Sequence, residues 1–360
     1  MDTIYRQLAR KINGMGMGLP ETDEGYELVY LKELYTEEEA EFALAMPLGL
    51  HTPEEFAADM DRDPQETEAM LKKMADDDLV LRVHEGDVTR YYLMPIIHGF
   101  LELNLPKFNT PIANSFGRHY VNGMGARFFG SKAPLFRIIP SSRDLVEDDA
   151  CLPYDDPHAI IDRNDRFALT KCFCRMSANW GKDSTCRYNP DYEETCMVMG
   201  IFADFYLENG MAREITKEEA HAHMLDADKN GTIVEVINSE NVEVMCQCCK
   251  CCCGVVKALI MFGGEAAGFA SNYQVRYDAS KCVNCGKCAE RCHVGACKVN
   301  KRGRLKVDPD RCIGCGLCVS GCPSGALTLH RKPVVYMPPA KTCLGMYDYV
   351  RTLRRKAGEI

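Results

Sequence analysis

Two cysteine runs in the last quarter of the chain, KCVNCGKCAERC ending at Cys292 and RCIGCGLCVSGC ending at Cys322, repeat one C-x2-C-x2-C-x3-C spacing thirty residues apart. Thiolates at two-residue intervals wrap a tight loop around one corner of an iron–sulfur cubane, while the fourth cysteine of each run reaches the other cluster. The expected ligand sets are therefore crossed: Cys282, Cys285, Cys288 and Cys322 for one cluster, and Cys312, Cys315, Cys318 and Cys292 for the other. The competing reading is a pair of structural zinc sites. Those use C-x2-C pairs separated by longer loops and lack the third cysteine and the crossed fourth. Internal duplication also speaks for clusters, since Val294-Gly295-Ala296-Cys297 aligns with Ser324-Gly325-Ala326-Leu327. Cys297 thus occupies a leucine position and reads as a small core residue, not a ligand.

These residues resemble the bacterial-type two-[4Fe-4S] ferredoxin, and Pro323 after the last cysteine completes that pattern, whereas His293 stands where the first run would have proline. The module fills about 60 residues, and a chain of 360 residues has room for two or three domains. Twenty-one cysteines in a chain opening MDTIYRQLARKING, which has no apolar signal core, predict a reducing, cytoplasmic setting. No apolar stretch approaches the ~20 residues needed to span a bilayer, so direct membrane insertion is not expected.

The net charge of −9 is unevenly spread. Residues 1–90 carry 22 acidic against 9 basic side chains, and residues 276–335 carry 12 basic against 4 acidic. Small clostridial ferredoxins are usually acidic, so the module departs from what it resembles. Lys298, Lys301, Arg302, Arg304 and Lys306 cluster between the two cysteine runs. Two readings stand: a basic face that steers an acidic partner, or compensation of the clusters' own charge.

In the acidic front, Thr36-Glu37-Glu38-Glu39 caps a helix to about Met46, Thr52-Pro53-Glu54-Glu55 opens a second, and Asp63-Pro64-Gln65-Glu66 a third to about Ala75. LVLRVHEGDVTRYYLMP then reads as a hairpin turning at Glu85-Gly86-Asp87. Three helices and a two-stranded wing give the order of a winged helix. A DNA-reading version needs basic side chains on its third helix. Here Glu66, Glu68, Asp76, Asp77 and Asp78 outnumber Lys72 and Lys73, so nucleic acid is not the expected partner.

Residues 101–165 read as a connector rich in aromatic residues and glycine, and Gly123-x-Gly125 lacks the rest of a dinucleotide fingerprint. From Lys171 the cysteines return: Cys172, Cys174, Cys186 and Cys196, then CQCCKCCCG with Cys246, Cys248, Cys249, Cys251, Cys252 and Cys253. Ten thiols where disulfides are not maintained call for soft metal, and at least one further [4Fe-4S] cluster is the reading consistent with the neighbouring module. One arrangement takes the first four thiols for one cluster and four of the later six for another. A second mixes the groups into one cluster with spare cysteines, and zinc is a third. Cys252-Cys253-Gly254 resembles the CCG signature of heterodisulfide-reductase-type noncubane clusters, in a single copy. Cys196 is placed at the start of a helix, CMVMGIFADFYLEN, and Thr216 with Glu219 starts another, which makes the cysteine-rich region helical. Cys151 and Cys343 read as ordinary thiols, and LGMYDYVRTLRRKAGEI as an amphipathic helix.

Over its length the chain resembles 4Fe-4S dicluster-domain proteins of anaerobic bacteria, with a winged-helix-like front, a C-x-C-R middle region and a terminal two-cluster ferredoxin. That resemblance implies an α+β multidomain protein: a winged-helix-like domain over 1–100, a connector over 101–165, a helical cysteine-rich domain over 166–275, a ferredoxin domain over 276–335 and a C-terminal helix over 336–360. It implies an electron-transfer protein or subunit, without catalytic residues of its own in the ferredoxin half, relaying electrons between a low-potential donor and an anaerobic redox enzyme. The expected partner is a redox enzyme or flavoprotein subunit. The alternatives are a redox-sensing winged-helix regulator and a reductive catalytic site at the middle cysteines.

Overall fold

Reciprocal helix caps set the architecture of the acidic front. Thr36 accepts the Glu39 amide while Glu39 takes the Thr36 amide at 2.9 Å, and Thr52 and Glu55 repeat the arrangement one helix later. Asp63 accepts two amides ahead of a helix that begins on proline. The three helices run Glu37–Ala45, Pro53–Met60 and Pro64–Asp76, as their caps predict. Strands β1 (Val80–Glu85) and β2 (Val88–Leu93) follow as an antiparallel hairpin, with Gly86 at φ 62° supplying the left-handed turn.

The chain is seen in a computed structural model described over residues 2–127, 134–146, 151–180, 186–188, 194–262 and 266–360. It forms two units: Met1–Arg127, Ile201–Arg213 and Tyr347–Ile360 in one, and Phe128–Gly200 and Glu214–Met346 in the other. Mixed helix and sheet content makes it α+β.

In the first unit, residues placed in the connector do structural work: the helix Thr110–His119 packs on Tyr26–Leu34, with Tyr30 and His119 2.7 Å apart. Within the connector, residues 128–133 and 147–150 lie outside the described residues. The C-terminal helix Cys343–Lys356 forms, and its Tyr347 donates to the His98 carbonyl at 2.7 Å.

The second unit corrects the helical reading of the cysteine-rich region. Its centre is a sheet of β3 (Phe136–Ile139), β4 (Phe167–Lys171), β5 (Glu194–Met199), β6 (Ala212–Glu214), β7 (Ile233–Ile237) and β8 (Val244–Cys248), in the order β3-β7-β8-β5-β4-β6. Cys196 lies within β5 and not at a helix start. The apolar run CMVMGIFADFYLEN splits at Gly200, whose φ of 54° ends the strand's course, and only Gly200–Glu208 is helical. Cys196 pairs with Thr170 on one side and with Cys246 on the other, and these interior ladders override the run's helical appearance.

Side chains alternate across a strand, so the two faces of this sheet differ in chemistry. Met197 and Met199 of β5, Val234 and Val236 of β7, and Met245 of β8 share the apolar core with Phe167, Leu169 and residues of the helices Pro157–Asp162 and Lys217–Asn230. The intervening positions Cys196, Glu235, Cys246 and Cys248 fall on the other face, and register sets Glu235, Cys246 and Cys196 in one cross-strand row.

At one edge of the sheet, Arg137 on β3 is fully buried with Asp155, Nε to Oδ1 3.0 Å, and donates to Asn238 and the Ser239 and Tyr154 carbonyls. Burial pulls the arginine below its ordinary value despite Asp155, and raises Asp155 against the pull of Arg137. Removing either partner leaves a buried charge uncompensated. Asp155→Ala is expected to lower unfolding stability by about 3–5 kcal/mol, read by denaturant titration. A loss under about 1 kcal/mol, the range of an exposed pair, would contradict this account.

The ferredoxin region repeats itself in three dimensions. Strand β9 (Tyr273–Tyr277) pairs with β12 (Leu327–Arg331), and β10 (Cys297–Val299) with β11 (Leu305–Val307). Short helices Lys287–Arg291 and Leu317–Ser320 each start after a glycine of positive φ, Gly286 and Gly316.

Candidate metal centres

Eight of the predicted ligands stand around two cavities, in the crossed grouping. Cys282, Cys285, Cys288 and Cys322 line one of about 370 Å³, together with Val299, Gly303 and Leu305 of the β10–β11 hairpin. Cys312, Cys315, Cys318 and Cys292 line another of about 390 Å³, which Cys297 and Arg291 also border. The first is the outer one: Cys285 is exposed and its three companions half-buried, whereas Cys312 and Cys318 of the second are buried. Backbone amides serve the fourth ligand of each run equivalently. Those of Ala296 and Cys297 reach the Cys292 sulfur at 3.2 and 3.4 Å. Burial alone would raise Cys322, but amides of Ser324, Ala326 and Leu327 and the Ser324 hydroxyl hold it below its usual value. Amides aimed at sulfur favour thiolate and tune a cluster held there.

The ten middle cysteines separate into two groups. Six close a ring of contacting thiols, Cys172 to Cys174, Cys253, Cys248, Cys246, Cys196 and back to Cys172, with Cys196 and Cys246 3.8 Å apart. The ring is built where β4 and β8 end, β5 starts and two helices begin, Phe173–Asn179 after Cys172 and Gly254–Met261 after Cys253. Cys172 and Cys253 are held well below the ordinary thiol range, Cys172 by Cys174 and Cys196 and Cys253 by Cys174 and Cys248. The Gly254 amide adds an N–H contact to the Cys174 sulfur at 3.5 Å.

The remaining four, Cys186, Cys249, Cys251 and Cys252, converge beside the ring with their sulfurs all within 4.8 Å of one another. Thiol donors, Cys249 first, hold Cys186 in the thiolate range. The four-plus-four split read from the sequence is not the grouping seen, because the late run contributes to both groups. Cys248 and Cys253 turn to the ring, while Cys249, Cys251 and Cys252 turn away from it.

Three residues here have a role that the sequence did not assign. Glu235 brings a carboxyl oxygen within 4.8 Å of Cys248 and Cys253, and its Oε2 is buried without a hydrogen-bond partner. Burial, then the neighbouring Cys253, Cys246 and Cys172, raises its pKa well above the usual range. A lone acid inside the apolar strand IVEVI was the available signal. Arg175 is buried between the two sulfur groups, donating Nη2 to the Gln247 carbonyl at 3.1 Å. Its Nε and Nη1 have no hydrogen-bond partner. His293 accepts the Lys250 amide at Nδ1 (3.1 Å) and donates from Nε2 to the Gly231 carbonyl at 2.6 Å. Burial, the leading cause, lowers its pKa, consistent with this neutral form.

Residues 276–329 match the family model of the 4Fe-4S dicluster domain. No curated protein and no solved structure matches the chain. The C-terminal region is thus an iron–sulfur domain, and the cysteine groups make the chain a metal-binding one. Among the described residues no helix is long and apolar enough to cross a membrane.

The basic residues singled out for docking are all exposed on or beside the β10–β11 hairpin, which borders the outer cavity. Lys298, Lys301, Arg302, Arg304 and Lys306 make no ion pair among the described residues. Arg291, by contrast, is tied to Asp228 and to the Leu317 carbonyl.

Proposed function

We propose that this chain is an iron–sulfur electron-transfer protein that passes electrons between a partner docked on the β10–β11 hairpin and the buried six-thiol ring. When bound, [4Fe-4S] clusters supply one-electron carriers whose irons are all thiolate-capped, which suits relay over substrate chemistry. The crossed cysteine sets would hold two of them. The ring offers six soft donors, more than the four that one tetrahedral ion takes, and so suits a multinuclear centre, a third iron–sulfur cluster. The observation that carries the reading is His293. It follows Cys292, a ligand of the inner set, and its imidazole bonds the Lys250 amide inside the late cysteine run, so ferredoxin and middle cysteines share one hydrogen-bonded backbone.

Docking on the hairpin is supported by its five exposed cations, which make no ion pair among the described residues and stand beside the outer, more exposed cysteine set. Exposed charges mainly speed encounter, and their effect fades as salt screens them. Charge reversal at Lys301, Arg302 and Arg304 should slow electron exchange with the native partner at low ionic strength, about tenfold or more, while iron content stays intact. Stopped-flow mixing across salt concentrations reads this. Equal rates for variant and wild type at every salt would leave the hairpin as charge compensation alone. The regulator reading finds less support. On the third front helix Lys72 pairs with Asp76 at 2.6 Å and Lys73 with Glu39, so neither is spare for phosphate. Duplex-DNA binding that weakens steeply with salt would favour it instead.

A further inference from the structure

The four thiols of Cys186, Cys249, Cys251 and Cys252 meet at distances that separate a single ion from a cluster. Cys186 lies 3.6 Å from Cys249 and 3.6 Å from Cys251, Cys249 lies 3.4 Å from Cys251, and Cys251 lies 3.5 Å from Cys252. Four sulfurs each about 2.3 Å from one tetrahedral ion stand roughly 3.8 Å apart. A cubane spreads its four thiolates much wider, because each caps a different iron on the outside of the core. The same chain provides the comparison: the two ferredoxin sets surround cavities of about 370 and 390 Å³. Here the sulfurs stand 3.4–3.6 Å from their neighbours, the spacing of ligands that share one ion.

We infer that these four cysteines form a mononuclear tetrahedral site for one thiophilic divalent cation, Zn²⁺ being the ion that suits a closed all-sulfur shell. Three features of the surroundings agree. First, Arg175 places a buried guanidinium beside Cys186, with Cys249 also among its charge neighbours. Four thiolates around a divalent ion leave a net charge of −2, which a buried cation beside them offsets. Second, the Asn179 amide points at the Cys252 sulfur at 3.8 Å, a contact outside the ligand shell of the kind that orients a metal ligand. Third, an aromatic ring covers the group: Tyr188 packs on it, lies 4.5 Å from the His293 ring at a tilt of 49° and sits under the Lys250 ammonium.

The backbone explains what such an ion does. Residues 248–253 are shared, with Cys248 and Cys253 facing the ring and the three cysteines between them facing the ion. Only Cys186 comes from elsewhere in the sequence. An ion joining Cys186 to the late run therefore fixes the loop that presents two ring thiols, and through Lys250 it fixes the segment bonded to His293. The site is a clasp for the neighbouring centre, with no open coordination position for a substrate.

The test is metal analysis of the full chain, purified anaerobically, as wild type, Cys186→Ser and Cys186→His. Wild type is expected to hold about one zinc per chain, with zinc-edge X-ray absorption showing four sulfurs at about 2.3 Å and no iron neighbour. Cys186→Ser should lose that zinc while acid-labile sulfide stays at the wild-type level, which also shows that the fold and the ferredoxin centres survive. Cys186→His, which restores a zinc donor, should retain it with three sulfurs and one nitrogen. Loss of one iron without sulfide in place of zinc would support the mononuclear geometry equally. Loss of iron and sulfide together in Cys186→Ser would show a cluster and overturn the inference, as would zinc content that neither variant changes. Because the readout is zinc against sulfide, this result stands apart from whether the chain transfers electrons.

Discussion

Anaerobically purified protein should contain about twelve irons with matching sulfide, four for each of three clusters, and the triple variant Cys172→Ser, Cys196→Ser, Cys246→Ser should contain about eight. Those substitutions leave Cys174, Cys248 and Cys253 in the ring, one thiolate short of the four that a cubane takes, and serine is a poor ligand to soft iron. Cys196 and Cys246 are cross-strand partners, so the variant removes the ring's β5–β8 side with little change in side-chain volume and leaves the Met197, Met199 and Met245 face untouched. Iron and acid-labile sulfide assays on both proteins measure the difference, and the spectrum of the ferredoxin clusters should persist. Wild-type iron near eight, or twelve irons retained in the triple variant, would remove the ring from the electron-transfer path.

The parts of the chain legible from sequence are those in which spacing along the backbone dictates structure. Thr36, Thr52, Asp63 and Thr216 each announce a helix by a local exchange of hydrogen bonds, and each helix begins where its cap stands. The ferredoxin cysteines are legible for the same reason, because a loop of fixed length wraps each set, and the dicluster match spans them. The cysteine-rich region was misread as helical because its strands are short and buried on both faces. β5 and the helix after it read as one apolar run, and only Gly200 at positive φ divides them. The partition of ten thiols into six and four was not legible at all. It depends on Cys196 meeting Cys246 across strands fifty residues apart in sequence, and on the late run turning so that Cys248 and Cys253 face the ring while the cysteines between them do not. Glu235 was hidden for a related reason: it lies in a strand with no cysteine of its own and reaches the ring only through register with Cys246.

One difference between the two halves of the repeat carries the other large expected effect. Cys312-Ile313-Gly314-Cys315 aligns with Cys282-Val283-Asn284-Cys285, and both Gly314 and Asn284 adopt positive φ, 68° and 56°. Asparagine tolerates that region, and Asn284 stands in an exposed loop where its amide donates to the Cys282 sulfur at 3.4 Å. A side chain at Gly314 has no such freedom, since its Cβ would lie 2.4 Å from the Tyr273 carbonyl oxygen and 2.5 Å from Ser271 Oγ. The oxygen belongs to β9, which is paired along its length to β12, so the backbone cannot retreat without breaking that ladder. Gly314→Asn, which makes the two halves alike, is therefore expected to cost about 3 kcal/mol or more through overlap alone, the asparagine backbone preference being nearly neutral. Because the Gly314 amide serves the Cys312 sulfur, displacing it also disturbs the inner cysteine set, and iron should fall by about four per chain. The reciprocal change Asn284→Gly should shift stability by less than about 1 kcal/mol and leave iron unchanged. Thermal unfolding and iron assays on the two variants side by side decide the matter: equal behaviour of the pair would mean that the β9 carbonyl does not dictate glycine at 314.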